Sequence, residues 1–202
     1  MKFRMATLDD AGEILDIYKP YITNTTISFE CQPPTPEAFR ERMRGILARY
    51  PWVVAEHGGR IAGYAYAGKV FEREAYQWNV QVSVYVLPEY HHDGLGSAFY
   101  RMMLPLLEEL GYQKCFAVIS LPNEKSIGLH TKFGFSERTV FPHAGFKCGE
   151  WHDVMWMERT FPELQTPITA PRSITQYPPE KLAALFAACT TDSTHHHVAS
   201  RQ

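Results

Sequence analysis

The chain opens with a short run of apolar and polar residues, Phe3 to Ala6, whose pattern predicts a strand. Asp9 or Asp10 can cap a helix in which Ala11, Ile14, Leu15 and Tyr18 recur at i, i+3, i+4 and i+7, and Pro20 is expected to end it. Pro36 and Glu37 suit the first turn of a second helix, which carries Phe39, Met43, Ile46 and Leu47 toward Pro51. Trp52 to Glu56 and Arg60 to Ala67 read as strands, and His57-Gly58-Gly59 between them has a hairpin spacing. A strand from Val80 to Leu87, a long amphipathic helix from Leu95 to Leu110, a strand from Lys114 to Ile119 and a shorter helix from Ser126 to Phe133 follow. Glu137 to Phe141 and Val154 to Arg159 close the series as strands. The order β-α-α-β-β-β-α-β-α-β-β predicts an α/β fold, a mixed sheet with helices on its faces.

The pattern changes near Phe161, so residues 1–160 are expected to form the domain and residues 161–202 an appendage. Pro162, Pro167, Pro171, Pro178 and Pro179 fall in a polar stretch that reads as an arm. Leu182, Leu185 and Phe186 then recur at helical spacing within Glu180 to Cys189, a short helix expected to pack on the body or on a second subunit. Thr190 to Gln202 is expected to be a disordered tail, and His195-His196-His197 within it is given no role.

Composition narrows the function. With 202 residues, 45% hydrophobic and 21% charged, the chain can build a core without disulfides or a metal, and no metal site is expected. A net charge of -2 and a pI near 6.5 provide no general positive field, which disfavours nucleic acid as a partner. The apolar runs, such as Val82 to Leu87, are far shorter than the roughly 20 residues of a membrane span. Met1 to Asp10 lacks the apolar segment of a secretory signal, and the four cysteines form no Cys-x-x-Cys pair; both point to the cytoplasm.

The most informative stretch is Val84-Tyr85-Val86-Leu87-Pro88, then Glu89 to Ser97 with Gly94 and Gly96. It predicts strand, turn and helix, and the free amides and dipole of a helix start favour an anion. Phe99 stands where a dinucleotide fingerprint requires its third glycine, and Gly68-Lys69 is followed by Val70 where a Walker A loop needs Ser or Thr. Neither of those phosphate loops is present.

The turn resembles the acetyl-CoA turn of the GNAT N-acetyltransferases, Gln or Arg, two residues, Gly, one residue, Gly or Ala. Asn123 to Ser126 and Leu129-His130-Thr131-Lys132-Phe133-Gly134-Phe135 are similar to that family's second cofactor motif. Arg49-Tyr50-Pro51-Trp52, Gly63 to Gly68, Ala75-Tyr76-Gln77-Trp78, Gly145-Phe146-Lys147 and Gly149 to Val154 resemble its phosphinothricin N-acetyltransferase branch. The resemblance covers about residues 3–160 and implies the GNAT acyl-CoA N-acyltransferase fold, with central strands splayed for acetyl-CoA.

The resemblance also implies site residues. Val84, Tyr85 and Val86 would pair through their backbones with the pantetheine arm, and Val86 or a neighbour would polarise the thioester carbonyl. His91, His92, Asp93, Gly94, Leu95, Gly96 and Ser97 would hold the pyrophosphate, and Asn123 and Ser126 would contact the cofactor from the next loop and helix, where capping explains them equally well. His130 stands at the position of the family's proton donor to the thiolate, with Tyr100 as a secondary candidate. Gln81 stands where the branch usually has a general-base Glu; a Gln cannot take that proton, but it can hold a relaying water. Arg73 and Tyr76 would bind the acceptor, with Arg73 suited to a carboxylate or phosphinate; Phe29, after Thr25-Thr26-Ile27-Ser28, can wall that pocket, and burial in the core explains it too.

Three readings follow. The first is an acetyl-CoA-dependent N-acetyltransferase acting directly on the primary amine of a small amino acid or analogue such as phosphinothricin or methionine sulfone. The second, motivated by Gln81 and by His91 at the usual Gln or Arg, is an acyl-CoA-binding module with reduced or lost catalysis. The third acetylates proteins and requires a wide groove in place of a closed pocket around Arg73 and Tyr76. The branch resemblance also implies a homodimer.

Overall fold

A computed structural model describes residues 1–161 and 169–192. Seven strands form one sheet: β1 (Lys2–Met5), β2 (Trp52–His57), β3 (Arg60–Lys69), β4 (Asn79–Val86), β5 (Lys114–Ser120), β6 (Ser136–Lys147) and β7 (Glu150–Thr160). Their order is β1-β2-β3-β4-β5-β7-β6, and of these pairs β4 and β5 alone run parallel. The helices are α1 (Ala11–Asn24), α2 (Pro36–Leu47), α3 (Leu95–Glu109), α4 (Glu124–Lys132) and α5 (Pro179–Asp192).

The sheet is covered on both faces, which explains why β2 and β3 are apolar nearly throughout. Val53 and Ala55 of β2 face α3 and pack with Phe99, Met103 and Leu106. Their neighbours Trp52 and Val54 face α1 and α2 and pack with Ile14, Leu15, Phe39 and Met43. Period-two alternation thus divides the buried residues of β2 between the two cores.

Pro20 does not end α1; it lies inside the helix. A proline in a helix interior costs about 3 kcal/mol, but the apolar stripe continues beyond it to the fully buried Ile22. Burying a side chain of that size returns about 1.5–3 kcal/mol, enough to carry the helix through to Asn24. Strands β6 and β7 are also longer than their apolar cores predict. They meet at Cys148 and Gly149, both with positive φ, the geometry of a tight hairpin turn.

The C-terminal segment packs on the body of its own chain. Arg172 donates its amide to the carbonyl of Leu110 at 2.8 Å, and Ile174 donates to that of Arg49 at 3.0 Å. Ile174, Tyr177 and Cys189 are buried in the same core as α3. Helix α5 runs three residues past Cys189, into the stretch expected to be tail, with Thr190 Oγ1 donating to the Phe186 carbonyl at 2.9 Å. Pro162, Pro167 and His195-His196-His197 lie outside the described residues. No helix of the described residues is long and apolar enough to cross a membrane.

Candidate active site

The site begins where β4 and β5 part. They pair only from Asn79 with Lys114 to Gln81 with Phe116. Beyond that point β4 stays with β3 as far as Val86 opposite Gly63, and β5 stays with β7 as far as Ser120 opposite Val154. The Leu87 amide donates to Ala62 of β3 at 2.9 Å, so strand alternation turns the amide and carbonyl of Val86 to the other side, into the notch.

Two side chains meet that open edge. Tyr21 Oη donates to the Val86 carbonyl at 2.5 Å and lies 3.4 Å from the Val86 amide. His91 Nε2 is 2.9 Å from the same carbonyl and 3.0 Å from Tyr21 Oη. Burial pushes the Tyr21 phenol above its ordinary pKa, with the Val86 bond pulling the other way. Tyr21 was invisible in the sequence because Pro20 was expected to stop the helix that carries it.

The notch opens into a cleft of about 540 Å³ between the parted strands and the heads of α3 and α4. Of the residues singled out in the sequence, Gln81, Val84, Tyr85, Val86, His91, His92, Gly94, Gly96, Ser97, Tyr100, Asn123, Ser126 and His130 line it. Gly94 adopts φ +73° at the start of α3, and the amides of Leu95, Gly96 and Ser97 precede the helix's first internal bond, from Ala98 to Gly94. A Cβ on Gly96 would come within 3.2 Å of Leu129 on α4, so glycine keeps the gap between the helices open. Lys132 Nζ donates to Ser97 Oγ at 3.2 Å, and Lys125 lines the cleft, adding positive charge beside the free amides. Asn123 caps α4, its Oδ1 accepting from the Ser126 amide at 3.1 Å.

Deeper in, Tyr100 Oη and His130 Nε2 are 2.6 Å apart, and His130 Nδ1 is 2.7 Å from the Ser126 carbonyl. A carbonyl can only accept, so Nδ1 carries the hydrogen and Nε2 of the neutral ring accepts from Tyr100. Burial lowers the His130 pKa and keeps the ring neutral, although the Ser126 bond opposes it; burial also holds the Tyr100 phenol well above its ordinary value. His130, expected as the proton donor, therefore has both nitrogens engaged within the protein. Among the described residues no carboxylate lines the cleft, and Gln81 stands at its closed end.

Five expected residues do not line the cleft. The Leu95 side chain is buried in the core, and only its amide belongs to the helix head. Asp93 is exposed in the preceding turn. Phe29 packs over Gly145, where a Cβ would meet its ring at 2.1 Å, and its ring centroid is 6.3 Å from that of His152. Arg73 is exposed ahead of the turn Glu74–Tyr76, and Tyr76 rests on Phe71 with ring centroids 4.7 Å apart. The acceptor residues expected from the sequence therefore sit outside the cleft, on open surface, and do not close a pocket.

Residues 3–156 match the family model described as an acetyltransferase (GNAT) domain. The chain is 40% identical over 176 residues to a phosphinothricin N-acetyltransferase of Streptomyces viridochromogenes, covering 87% of this chain and 96% of that protein. It is 28% identical over 170 residues to an L-methionine sulfoximine/L-methionine sulfone acetyltransferase of Salmonella typhimurium, covering 83% and 98% of the two chains. The crystal structure of a GNAT superfamily phosphinothricin acetyltransferase from Sinorhizobium meliloti in complex with AcCoA superposes with a TM-score of 0.77 at 32% identity, covering 89% of this chain and 96% of that one.

Proposed function

Since the chain belongs to the GNAT acetyltransferase family, we propose that it moves the acetyl group of acetyl-CoA directly to the primary amine of a small amino acid or analogue. It is an acetyl-CoA-dependent N-acetyltransferase, and nothing in its relatives supports a module that has lost catalysis. The observation that carries the site assignment is the parting of β4 from β5 beyond Gln81 and Phe116, directly above the free amides at the head of α3.

Transfer forms a C–N bond at the thioester carbonyl, breaks the C–S bond, takes a proton from the amine and gives one to the sulfur. In our reading the open backbone edge at Val84 and Val86 receives the pantetheine arm as an added strand, and the Val86 amide polarises the thioester carbonyl. Tyr21 and His91 hold that edge in the free protein. The amides of Leu95, Gly96 and Ser97 hold the pyrophosphate, with Lys125 and Lys132 nearby. Tyr100 gives the proton to the sulfur, because its hydroxyl is the one hydrogen of the Tyr100–His130 pair that is not donated to a backbone carbonyl. His130 is a positioning residue for it. Gln81 holds the water that takes the amine proton, in a cleft that no carboxylate of the described residues lines.

Relatives named for phosphinothricin and for methionine sulfone support an amino-acid-like acceptor. We assign catalysis to residues 1–160, with the C-terminal segment as a fastening, and place the enzyme in the cytoplasm. A homodimer would cover Phe141, Phe146 and Trp151, which stand 49%, 57% and 60% exposed on β6 and β7.

Free thiol release from acetyl-CoA with a panel of amino acids, followed against pH, tests this reading. Without a side-chain base, kcat/KM should climb about tenfold per pH unit until the acceptor amine itself titrates, near pH 9–10. Gln81→Glu should raise the rate at pH 7 and flatten the profile. Absence of amine-dependent release at any pH would overturn the proposal.

A further inference from the structure

Val86 is the last residue of β4, and side chains from elsewhere in the chain engage both of its backbone polar groups. The Val86 amide donates to Tyr21 Oη at a long 3.4 Å, and Tyr21 Oη donates back to the Val86 carbonyl at 2.5 Å. One hydroxyl, donor and acceptor at once, thus makes the pair of bonds that a neighbouring strand would make with an N–H and a C=O. His91 Nε2 lies 2.9 Å from the same carbonyl; a carbonyl only accepts, so Nε2 carries its hydrogen and takes the second lone pair.

A pantetheine arm laid along β4 needs that amide and that carbonyl, and both are taken. Tyr21 and His91 line the cleft, so an arm entering it meets them. The backbone that carries Tyr21 is fixed: Ile22 beside it is fully buried, and Thr25 Oγ1 donates to the Tyr21 carbonyl at 2.7 Å. The Tyr21 side chain is held more lightly, by its ring against Tyr85 with centroids 5.1 Å apart and by the Val86 contact itself. His91 is exposed in the turn before α3. Exchanging one set of hydrogen bonds for another at Val86 keeps the edge satisfied throughout, which is what a backbone group facing a cleft requires.

Resting on the reading above, we propose that Tyr21 is a stand-in for the pantetheine arm: with His91 it holds the Val86 edge until the cofactor displaces it, and it retakes that edge as CoA leaves. The exchange is a rotation of the Tyr21 side chain on a fixed helix turn. It weakens acetyl-CoA and CoA alike, by the worth of the bonds given up, and so hastens release of the product. It also frees the Val86 amide for the thioester only when the arm is in place.

Calorimetry on the full chain, wild type against Tyr21→Phe, tests this with acetyl-CoA, CoA and adenosine 3′,5′-bisphosphate, the nucleotide end of the cofactor without its arm. Losing a hydrogen bond that only the free protein makes should tighten acetyl-CoA and CoA about fivefold, while the bisphosphate stays within about twofold. In thermal melts Tyr21→Phe should fall below wild type without ligand and draw level with it in saturating acetyl-CoA, because tighter binding restores what the free state lost. Unchanged acetyl-CoA affinity overturns the proposal, and so does weaker affinity, which would make the hydroxyl a contact of the bound cofactor. Equal tightening of the bisphosphate, which does not reach Val86, also overturns it. A wild type that fails to bind acetyl-CoA would instead sink the proposed cofactor site, and this inference with it.

Discussion

Tyr100 and His130 are each other's partners in the wall of the cleft, at 1% and 7% exposure, and that couples their roles. With Nδ1–H held on Ser126, the imidazole presents a lone pair to Tyr100, and the phenol is held at a fixed angle to the cleft. Removing either member leaves the other with a buried polar atom lacking its partner. Tyr100→Phe should lower kcat by on the order of a hundredfold, the usual worth of a positioned proton donor. His130→Ala should lower kcat by a similar factor with the acetyl-CoA Kd unchanged, and the double variant should be no worse than either single one. Single-turnover thiol release from the four proteins measures the coupling. Effects that multiply would mean that the two residues act separately.

At the scale of elements, the notch depends on how closely β3 can approach β4. A Cβ on Gly63 would lie 2.8 Å from the Tyr85 carbonyl oxygen and 3.1 Å from Val86 Cα, and both obstacles are backbone. Gly63→Ala must therefore push β4 toward the open side at the residue whose amide and carbonyl face the cleft. A loss of about 1–3 kcal/mol in stability is expected from the overpacking, together with a roughly tenfold weaker acetyl-CoA affinity. Gly68→Ala on the same strand, where a Cβ meets only Tyr66 at 3.8 Å, should change neither in melts or calorimetry. Much of this architecture was legible in advance. The apolar runs that became β2 and β3, the alternating run that became β4, and the Gly94–Gly96 turn that opens α3 carry their signals locally. What was not legible depends on partners remote in sequence: α1 passes Pro20 because Ile22 has a core to enter, and Tyr21 is seen as a site residue only once that helix lies beside Val86. The surroundings of the expected acceptor residues are likewise set by partners remote in sequence. Phe29 lies beside Gly145 and Tyr76 beside Phe71, contacts that no local pattern announces.

The C-terminal segment connects the stability of the whole molecule to the closed end of the notch. Trp78 immediately precedes β4; its carbonyl accepts the Gln113 amide at 2.9 Å, just ahead of β5, and its indole Nε1 donates to the Thr169 carbonyl at 2.8 Å. Farther along, Arg172 donates to the carbonyls at the end of α3, and Tyr177 Oη donates to Glu109 at 3.0 Å, which helps hold that carboxyl below its ordinary pKa. Ile174 and Tyr177 complete the α3 core, and burying each is worth about 1.5–3 kcal/mol. A chain ending at Phe161 would expose that core and free Trp78 from one of its two anchors. Its melting temperature should fall by roughly 10 °C, given about 2–4 °C per kcal/mol for a protein of this size. Acetyl-CoA should restore part of the loss, because a ligand that binds only the folded state raises its stability by mass action. Thermal melts of both chains, with and without acetyl-CoA, measure this directly. Equal melting temperatures would show that the segment only rests on the body. A loss that acetyl-CoA cannot reduce would mean that the notch itself needs the segment, because the truncated chain would then fold without forming the cofactor site.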